Sequence, residues 1–180
     1  MIGVPKALAA AFRACARCGV TPTRHILSVH IARQRATLYQ RQENRYVPGK
    51  TFHCSTSKFG IGEAAGSNMT PRGLHRIARK IGGGWPVGAV FKARQMIGYT
   101  WQGRPGARIA HRILWLEGLE TGFNRGRDRD SFRRYIYIHG TGDETTLGRP
   151  DSHGCIHLSA DDLIRLYDKL PEGTLAWIAA

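Results

Sequence analysis

The chain has 180 residues, with 27 Lys and Arg against 13 Asp and Glu, so its formal net charge is +14 at pH 7. Hydrophobic residues make up 42% and aromatic residues 9%, which excludes a disordered tail and is typical of one folded domain. No stretch approaches the roughly 18 consecutive apolar residues that a membrane-spanning helix needs. We therefore expect a basic protein of one compact domain with an acidic partner.

The positive charge alone does not identify that partner. Nucleic acid, an anionic membrane face and substrates rich in carboxylate or phosphate would all be attracted to such a surface. The basic residues are scattered, with short pairs such as Arg133-Arg134 and no long basic block, a pattern that also fits an ordinary solvated surface. A basic nucleic-acid-binding β-domain without catalysis is therefore one alternative to an enzyme.

The first 23 residues predict a short amphipathic helix. Their apolar run, Ala7 to Phe12, spans six residues and is followed by Arg13 and Arg17, whereas a secretory signal needs roughly 7–15 apolar residues and a cleavage site. We expect a helical extension at 1–23, a main domain at 24–180, and a cytoplasmic location, with the periplasm or cell wall as the alternative.

The four cysteines give no clear disulfide or zinc framework. Cys15 and Cys18 have the spacing of half a zinc site, but no second C-x-x-C pair completes it, and no thioredoxin-like strand precedes them. We interpret both residues as structural or incidental.

Alternation of apolar and polar residues predicts that the main domain is built of strands. Apolar residues alternate with polar ones from Ile26 to Ile31, and a polar turn at Gln34-Arg35 leads into Thr37 to Tyr39, which predicts a hairpin. Further strands are predicted at Thr51 to Thr56, Leu74 to Ile81, Ile113 to Leu116, Tyr135 to His139 and Leu175 to Ile178. One helix is clear, with Ser159 as its N-cap and an apolar stripe to Leu170. The fold class is therefore mainly β with few helices.

The residues with the clearest chemistry lie between Tyr135 and His157, in the segment YIYIHGTGDETTLGRPDSHGCIH. Alternation on the first strand puts Tyr135, Tyr137 and His139 on one face, and Ile136 and Ile138 on the other. The chain passes through a polar loop and reaches Cys155 sixteen residues after His139. A loop of that length can bring the thiol beside the imidazole.

A cysteine beside a histidine suits nucleophilic catalysis. A free thiol, with a pKa of about 8.5, is mostly protonated at neutral pH, and a neighbouring imidazole can take its proton. Gly154 removes side-chain bulk, so we expect the backbone N–H groups of Gly154 and Cys155 to face a developing oxyanion. A third group, most simply a backbone carbonyl, is expected to fix the tautomer of His139.

Two other interpretations of the same residues are open. His153, Cys155 and His157 alternate and with His139 could form a metal site, although ligands so closely spaced rarely complete a tetrahedral site alone. Cys155 could also be a merely buried thiol. The histidines around it favour the catalytic interpretation.

The runs I-H-G-T, at 138–141, and S-H-G-C-I, at 152–156, resemble the signature of the L,D-transpeptidase catalytic domain family (YkuD-type). The members of that family are cysteine acyltransferases of bacterial peptidoglycan. The hairpin ending at Tyr39, the pair Ser55-Thr56 with the later stretch 69–73, and the helix after Ser159 are similar to family elements as well. The resemblance covers roughly Arg24 to Ile178. It implies a single L,D-transpeptidase-like β-sandwich or barrel catalytic domain.

The resemblance also implies roles for individual residues. Cys155 would be the nucleophile and His139 its general base. The oxyanion hole and cleft would be shaped by Ser152, His153 and Gly154. Candidate substrate-binding residues are Tyr137, Gly140, Thr141 and His157.

The implied substrates are peptidoglycan stem peptides or soluble muropeptides, attacked between the L-centre of a diamino acid, usually meso-diaminopimelate, and a terminal D-alanine. Transfer of the acyl group to an amine gives L,D-transpeptidation, and transfer to water trims a tetrapeptide to a tripeptide, which is L,D-carboxypeptidase activity. The resemblance implies no metal or organic cofactor, covalent inhibition by carbapenems, and no specific nucleic-acid partner. We expect a monomer.

Two positions depart from the family pattern. Two residues after the cysteine, where Arg or Asn is usual, this chain has His157, and at a position where Asn is common it has Ala160. A guanidinium can hold a carboxylate with two hydrogen bonds, and an imidazole cannot. The choice of acceptor therefore stays open, and a cytoplasmic enzyme meeting soluble stem peptides would favour trimming.

Overall fold

A computed structural model of the protein describes residues 3–103 and 108–180, so the first two residues of the predicted 1–23 extension lie outside the described residues. The described chain forms two α-helices, α1 (Ala9–Cys18) and α2 (Ala160–Lys169), and ten strands. The strands are β1 (His25–His30), β2 (Arg35–Gln42), β3 (Arg45–His53), β4 (Gly73–Ile81), β5 (Ala89–Lys92), β6 (Gln95–Tyr99), β7 (Ala110–Gly118), β8 (Tyr137–Gly140), β9 (Ile156–Leu158) and β10 (Leu175–Ala179). The predicted mainly-β class is confirmed.

The ten strands form one hydrogen-bonded sheet, ordered β3-β2-β1-β10-β4-β7-β5-β6 along its main path. The predicted hairpin is confirmed, since β1 and β2 pair antiparallel with Leu27 opposite Leu38. The last strand, β10, lies between β1 and β4, parallel to the first and antiparallel to the second. The first and last strands therefore pair with each other in the middle of the sheet.

The sheet branches at β7. Residues 113–118 of β7 pair with β4, residues 110 and 113–115 pair with β8, and Ala110 also pairs with Val90 of β5. Strand β8 in turn pairs with β9 in parallel, with Ile138 opposite Ile156 and His139 opposite His157. This short parallel pair brings together the two motif segments that are sixteen residues apart in the sequence.

The two helices pack on opposite faces of the sheet. Leu163, Leu166 and Leu170 of α2 join a core cluster with Leu27, whereas Leu8, Ala14 and Cys15 around α1 join a second cluster with Ile26. Successive side chains of a strand point to opposite faces, so neighbours Ile26 and Leu27 mark the two sides. The N-cap of α2 is as predicted, because Ser159 Oγ accepts the Asp162 N–H at 3.3 Å.

The segment before residue 24 is helical and shares a core with the sheet. Cys15 is buried in that core, and Cys15 and Cys18 are both free thiols. The division between 23 and 24 stays a prediction. None of the helices in the described ranges is long and apolar enough to cross a membrane.

Two predicted strands differ from the observed ones. The strand predicted at Thr51 to Thr56 is the end of β3, which stops at His53, and residues 55 and 57 instead form single bridges to residues 157 and 152. The strand predicted from Tyr135 begins at Tyr137, because Tyr135 has a φ of 57° in the left-handed region, which interrupts extended backbone. The short strands β5 and β6 lack a clear alternating pattern and are not predicted.

Candidate active site

Strands β8 and β9 place Cys155 and His139 on one surface. Cys155 directly precedes β9, and continuing the parallel register puts it opposite Tyr137, two residues from His139 along β8. Residues two apart point to the same face. Both side chains line a groove of about 400 Å³. Its other lining residues are Lys58, Arg108, Ile109, Thr141, Asp143, Asp151, His153 and His157.

The imidazole of His139 is buried, with 2% of its surface exposed. Its Nδ1 lies 2.8 Å from the carbonyl oxygen of Gly140. Because a carbonyl only accepts, Nδ1 carries the proton and Nε2 presents a lone pair. This carbonyl is the third group that the sequence predicts. Burial, reinforced by the neighbouring His157, lowers the pKa of His139 to about 3, so the ring is neutral at physiological pH.

The thiol of Cys155 is held by backbone groups of the chain leading into β8. The N–H of Tyr137 donates to Sγ at 3.4 Å, and the thiol donates to the Tyr135 carbonyl oxygen at 3.5 Å. Burial of the sulfur raises the pKa of Cys155 to about 11, while the Tyr137 N–H and the positive charge of Arg134 oppose that rise. The thiol is therefore protonated at neutral pH in the resting protein.

Ser152 organises the turn before Cys155. Its Oγ donates to the Cys155 carbonyl oxygen at 2.6 Å and accepts the Gly154 N–H at 3.2 Å. Its own N–H donates to the Thr56 carbonyl oxygen at 2.9 Å, which ties the turn to the segment after β3. Ser152 is almost fully buried, so it shapes the cleft from behind.

Gly154 is required by its backbone and its surroundings. Its φ is 115°, and a Cβ there would lie 3.2 Å from the Met69 carbonyl oxygen. The prediction that its N–H faces an oxyanion is wrong, because that N–H donates to Ser152. The Cys155 N–H has no acceptor within the described ranges, so it is the backbone donor left for an oxyanion.

Arg134, which the sequence patterns do not single out, fixes a loop beside Cys155. Its guanidinium donates to the carbonyl oxygens of Gly62, Glu63 and Met69, and to Ser67 Oγ, at 2.7–3.3 Å. Burial lowers the pKa of Arg134, and the attraction of Glu63 and of a Cys155 thiolate raises it. The guanidinium therefore anchors the loop and favours the thiolate form of Cys155.

His157 and His153 flank the pair. The His157 ring lies 4.6 Å from the His139 ring, and its Nδ1 is buried without a hydrogen-bond partner among the described residues. Burial lowers the pKa of His157 to about 4, so this ring is neutral as well. His153 is exposed and lies edge-on to Phe59, with ring centroids 5.4 Å apart.

Only some of the other predicted site residues line the groove. Thr141 lines the groove, whereas Tyr137 and Gly140 are not among its described lining residues. The Tyr137 ring is buried edge-on against Trp115, with ring centroids 5.5 Å apart. Tyr135 packs on the same Trp115 ring as Tyr137, with ring centroids 5.6 Å apart. It is half exposed, carries Arg94 on its ring and is not among the described lining residues of the groove.

The structure adds groove residues that the motifs do not reveal. Lys58 and Arg108 supply positive charge, and Asp143 and Asp151 supply negative charge. Each of the four is a single charged residue in a loop. Only the two aspartates could have been predicted as groove residues, because they lie in the sequence between the two motifs. For the metal-site alternative, no group of three or more His, Cys, Asp or Glu within residues 3–103 and 108–180 is arranged to hold an ion.

Comparisons with known proteins agree with this geometry. The family model described as the L,D-transpeptidase catalytic domain (YkuD) matches residues 24–178. A comparison with curated proteins found no match.

Solved structures of similar fold include an L,D-transpeptidase from Mycobacterium smegmatis, 17% identical with a TM-score of 0.51, the match covering 87% of this chain and 59% of that one. Bd1075 from Bdellovibrio bacteriovorus is 14% identical with a TM-score of 0.55, over 87% of this chain and 48% of that one. L,D-transpeptidase 3 from Mycobacterium tuberculosis, in complex with a faropenem-derived adduct, is 14% identical with a TM-score of 0.51, over 87% and 60%. The chain thus spans half to three-fifths of these structures, and the predicted fold is confirmed.

Proposed function

The chain belongs to the L,D-transpeptidase catalytic domain family, and from that premise we propose that it is a cysteine acyltransferase or peptidase acting on peptidoglycan stem peptides. Cys155 is the nucleophile and His139 the general base. One observation carries the proposal: the two side chains line a single groove, and a backbone carbonyl holds His139 with its Nε2 lone pair free.

The reaction proceeds through a thioester. Sγ of Cys155 attacks the carbonyl carbon between the L-centre of the diamino acid and the terminal D-alanine, while the thiol proton passes to Nε2 of His139. The C–N bond then breaks, and His139 returns the proton to the departing amine of D-alanine. An amine or water attacks the thioester, and the thiol is restored.

The resting protonation states of Cys155 and His139 indicate that the thiol proton is transferred during the attack and not before it. A thiol with a pKa near 11 and an imidazole with a pKa near 3 form a neutral pair at rest. The charge separation of a thiolate and an imidazolium is therefore created only as the S–C bond forms. Arg134 lies on the side of the sulfur and stabilises that negative charge.

The tetrahedral oxyanion needs hydrogen-bond donors. The Cys155 N–H is available, because the Ser152 turn engages the Gly154 N–H and leaves that of Cys155 without an acceptor among residues 3–103 and 108–180. A preorganised donor of this kind contributes most where water is excluded. Ser152 therefore supports the oxyanion by fixing the turn.

The charges of the groove suit a stem peptide. Lys58 and Arg108 can meet its carboxylates, and Asp143 and Asp151 can meet the side-chain amine of its diamino acid. A peptide that carries both charges is complementary to a groove that carries both.

We further propose water as the main acceptor, with soluble muropeptides in the cytoplasm as the substrate. The support is His157, which is neutral and stands where the family usually has Arg or Asn. A neutral imidazole cannot hold the carboxylate of a second stem with two hydrogen bonds. Water then competes more successfully for the thioester.

Turnover of a disaccharide-tetrapeptide, followed by mass spectrometry, tests the proposal. The expected products are disaccharide-tripeptide and free D-alanine in equal amounts, absent with Cys155→Ala and unchanged with Cys18→Ala, a partly exposed control thiol. Cross-linked dimers without tripeptide would show an acyl-enzyme but overturn water as the acceptor. No product under any condition would contradict the peptidase proposal.

A further inference from the structure

His111 occupies an unusual backbone position next to the catalytic strand. Where β7 pairs with β8, Ala110 lies opposite Gly140 and Ile113 opposite His139, so His111 and Arg112 are extra residues on the β7 side. The φ of His111 is 70°, in a left-handed region that residues with a Cβ rarely adopt. Such irregularities commonly redirect a side chain near a functional site.

The redirected side chain is buried and fully hydrogen-bonded. Nδ1 of His111 accepts the Gly88 N–H at 2.9 Å. A ring nitrogen that accepts carries no proton, so Nε2 carries it and donates to the Thr141 carbonyl oxygen at 3.3 Å. Burial keeps this ring neutral by lowering its pKa.

The same ring packs against Gly140. A Cβ on Gly140 would overlap Cδ2 of His111 and lie 2.8 Å from the Ala110 carbonyl oxygen. His111 therefore contacts the backbone on one side of the Gly140–Thr141 peptide and hydrogen-bonds the carbonyl beyond it. The carbonyl oxygen between these two points, that of Gly140, accepts the Nδ1–H of His139.

We propose that His111 is a positioning residue for the reaction of Cys155: it braces the Gly140–Thr141 peptide, so that the Gly140 carbonyl holds His139 in the tautomer whose Nε2 accepts the thiol proton. The inference rests on the proposed function and adds a residue outside both sequence motifs. The hydrogen bond from Gly88 extends this brace to the chain entering β5.

Two substitutions separate the hydrogen bonds of His111 from its bulk. His111→Phe keeps a ring against Gly140 and removes both hydrogen bonds, and His111→Gln keeps an amide that can donate and accept. His75→Phe is the matched control, because His75 is a second buried histidine, bonded to the Gly73 carbonyl and Ser131 and absent from the groove lining. Each protein is examined for stem-peptide turnover and for the His139 tautomer by long-range 1H–15N NMR.

We expect His111→Phe to lower kcat at least about tenfold with little change in KM, part of the roughly 100- to 10,000-fold that a general base contributes. The NMR spectrum of His139 should then show a mixture of Nδ1–H and Nε2–H forms. His111→Gln should restore at least part of kcat and of the Nδ1–H form, and His75→Phe should keep His139 in that form.

The inference is overturned if folded His111→Phe keeps His139 wholly in the Nδ1–H form or retains kcat within about twofold. It is equally overturned if His75→Phe shifts the tautomer as much as His111→Phe, since the effect would then be general. The tautomer is measured without turnover. An inactive wild-type protein would therefore count against the proposed function, while the effect of His111 on the His139 tautomer could still be measured.

Discussion

Gly140 and His111 pack so closely that Gly140 has no room for a side chain. A Cβ at Gly140 would overlap Cδ2 of the His111 ring. The contact joins β7 to β8 next to His139. The glycine of the I-H-G-T motif is thus needed for packing, in addition to the role of its carbonyl.

Gly140→Ala should therefore lower both stability and turnover. Forcing a methyl group into this contact is expected to cost about 1–3 kcal/mol of unfolding free energy and to shift the carbonyl that holds His139. Gly83→Ala is the control, because the three atoms nearest to its Cβ would all belong to the Tyr167 side chain, the hydroxyl oxygen at 3.1 Å. Urea unfolding and kcat measure the two effects, and an unchanged kcat in Gly140→Ala would contradict the account.

Arg134→Ala should destabilise the protein and slow Cys155. The substitution removes a guanidinium that satisfies three carbonyl oxygens and one hydroxyl of the 62–69 loop, so we expect a loss on the order of 2 kcal/mol or more. Without the positive charge the thiolate is less stable, and alkylation by iodoacetamide should slow. Its exposed neighbour offers a control, because Arg133→Ala is expected to change the free energy of unfolding by no more than about 0.5 kcal/mol.

The raised pKa of Cys155 predicts a particular pH profile for alkylation. Because its pKa is about 11, the thiolate fraction should grow about tenfold per pH unit from pH 7 to 10 without a plateau. Peptide-level mass spectrometry of iodoacetamide-treated protein measures this rate, with glutathione as the reference thiol. A plateau below pH 8 would instead indicate a resting thiolate–imidazolium pair.

Buried neutral histidines should make the protein sensitive to acid. The folded pKa values of His75, His139 and His157 are about 4, 3 and 4, against about 6.5 in the unfolded chain. Between these pKa values the unfolded state binds more protons than the folded state. The free energy of unfolding is therefore highest above pH 6.5 and falls as the pH drops towards 4. Each histidine contributes up to about 1.4 kcal/mol per pH unit.

Calorimetric unfolding at pH 5 in two buffers with different ionisation enthalpies counts the protons taken up. At least about three protons should bind on unfolding. Uptake near zero, or a Tm that does not change between pH 7 and 4.5, would show that these rings are already protonated in the fold.

Much of the fold could be predicted from the sequence, and so could the proximity of Cys155 and His139. Alternation predicts the β1–β2 hairpin, and the Ser159 cap predicts α2, because both are local patterns. The I-H-G-T and S-H-G-C runs point to His139 and Cys155 through a resemblance to a known family. Their pairing across β8 and β9 confirms that a loop of this length can bring them onto one surface.

The remaining site depends on contacts that no local pattern records. Alternation predicts that Tyr135 is part of the strand, yet its left-handed φ delays the start of β8 to Tyr137, and its carbonyl oxygen accepts a hydrogen bond from the Cys155 thiol. Arg134 matters because a loop some 70 residues earlier in the chain folds over it. The role of His111 arises from a register shift that only the pairing of β7 with β8 reveals.

The role of Cys155 is tested most directly by the intact mass of the protein after exposure to a carbapenem, followed by peptide mapping. We expect one covalent adduct per chain, located on Cys155 and absent from Cys15, Cys18 and Cys54, which serve as internal controls. Cys155→Ala should form no adduct, and His139→Gln should form it more slowly. An adduct on another cysteine, or none on folded wild-type protein, would contradict Cys155 as the nucleophile.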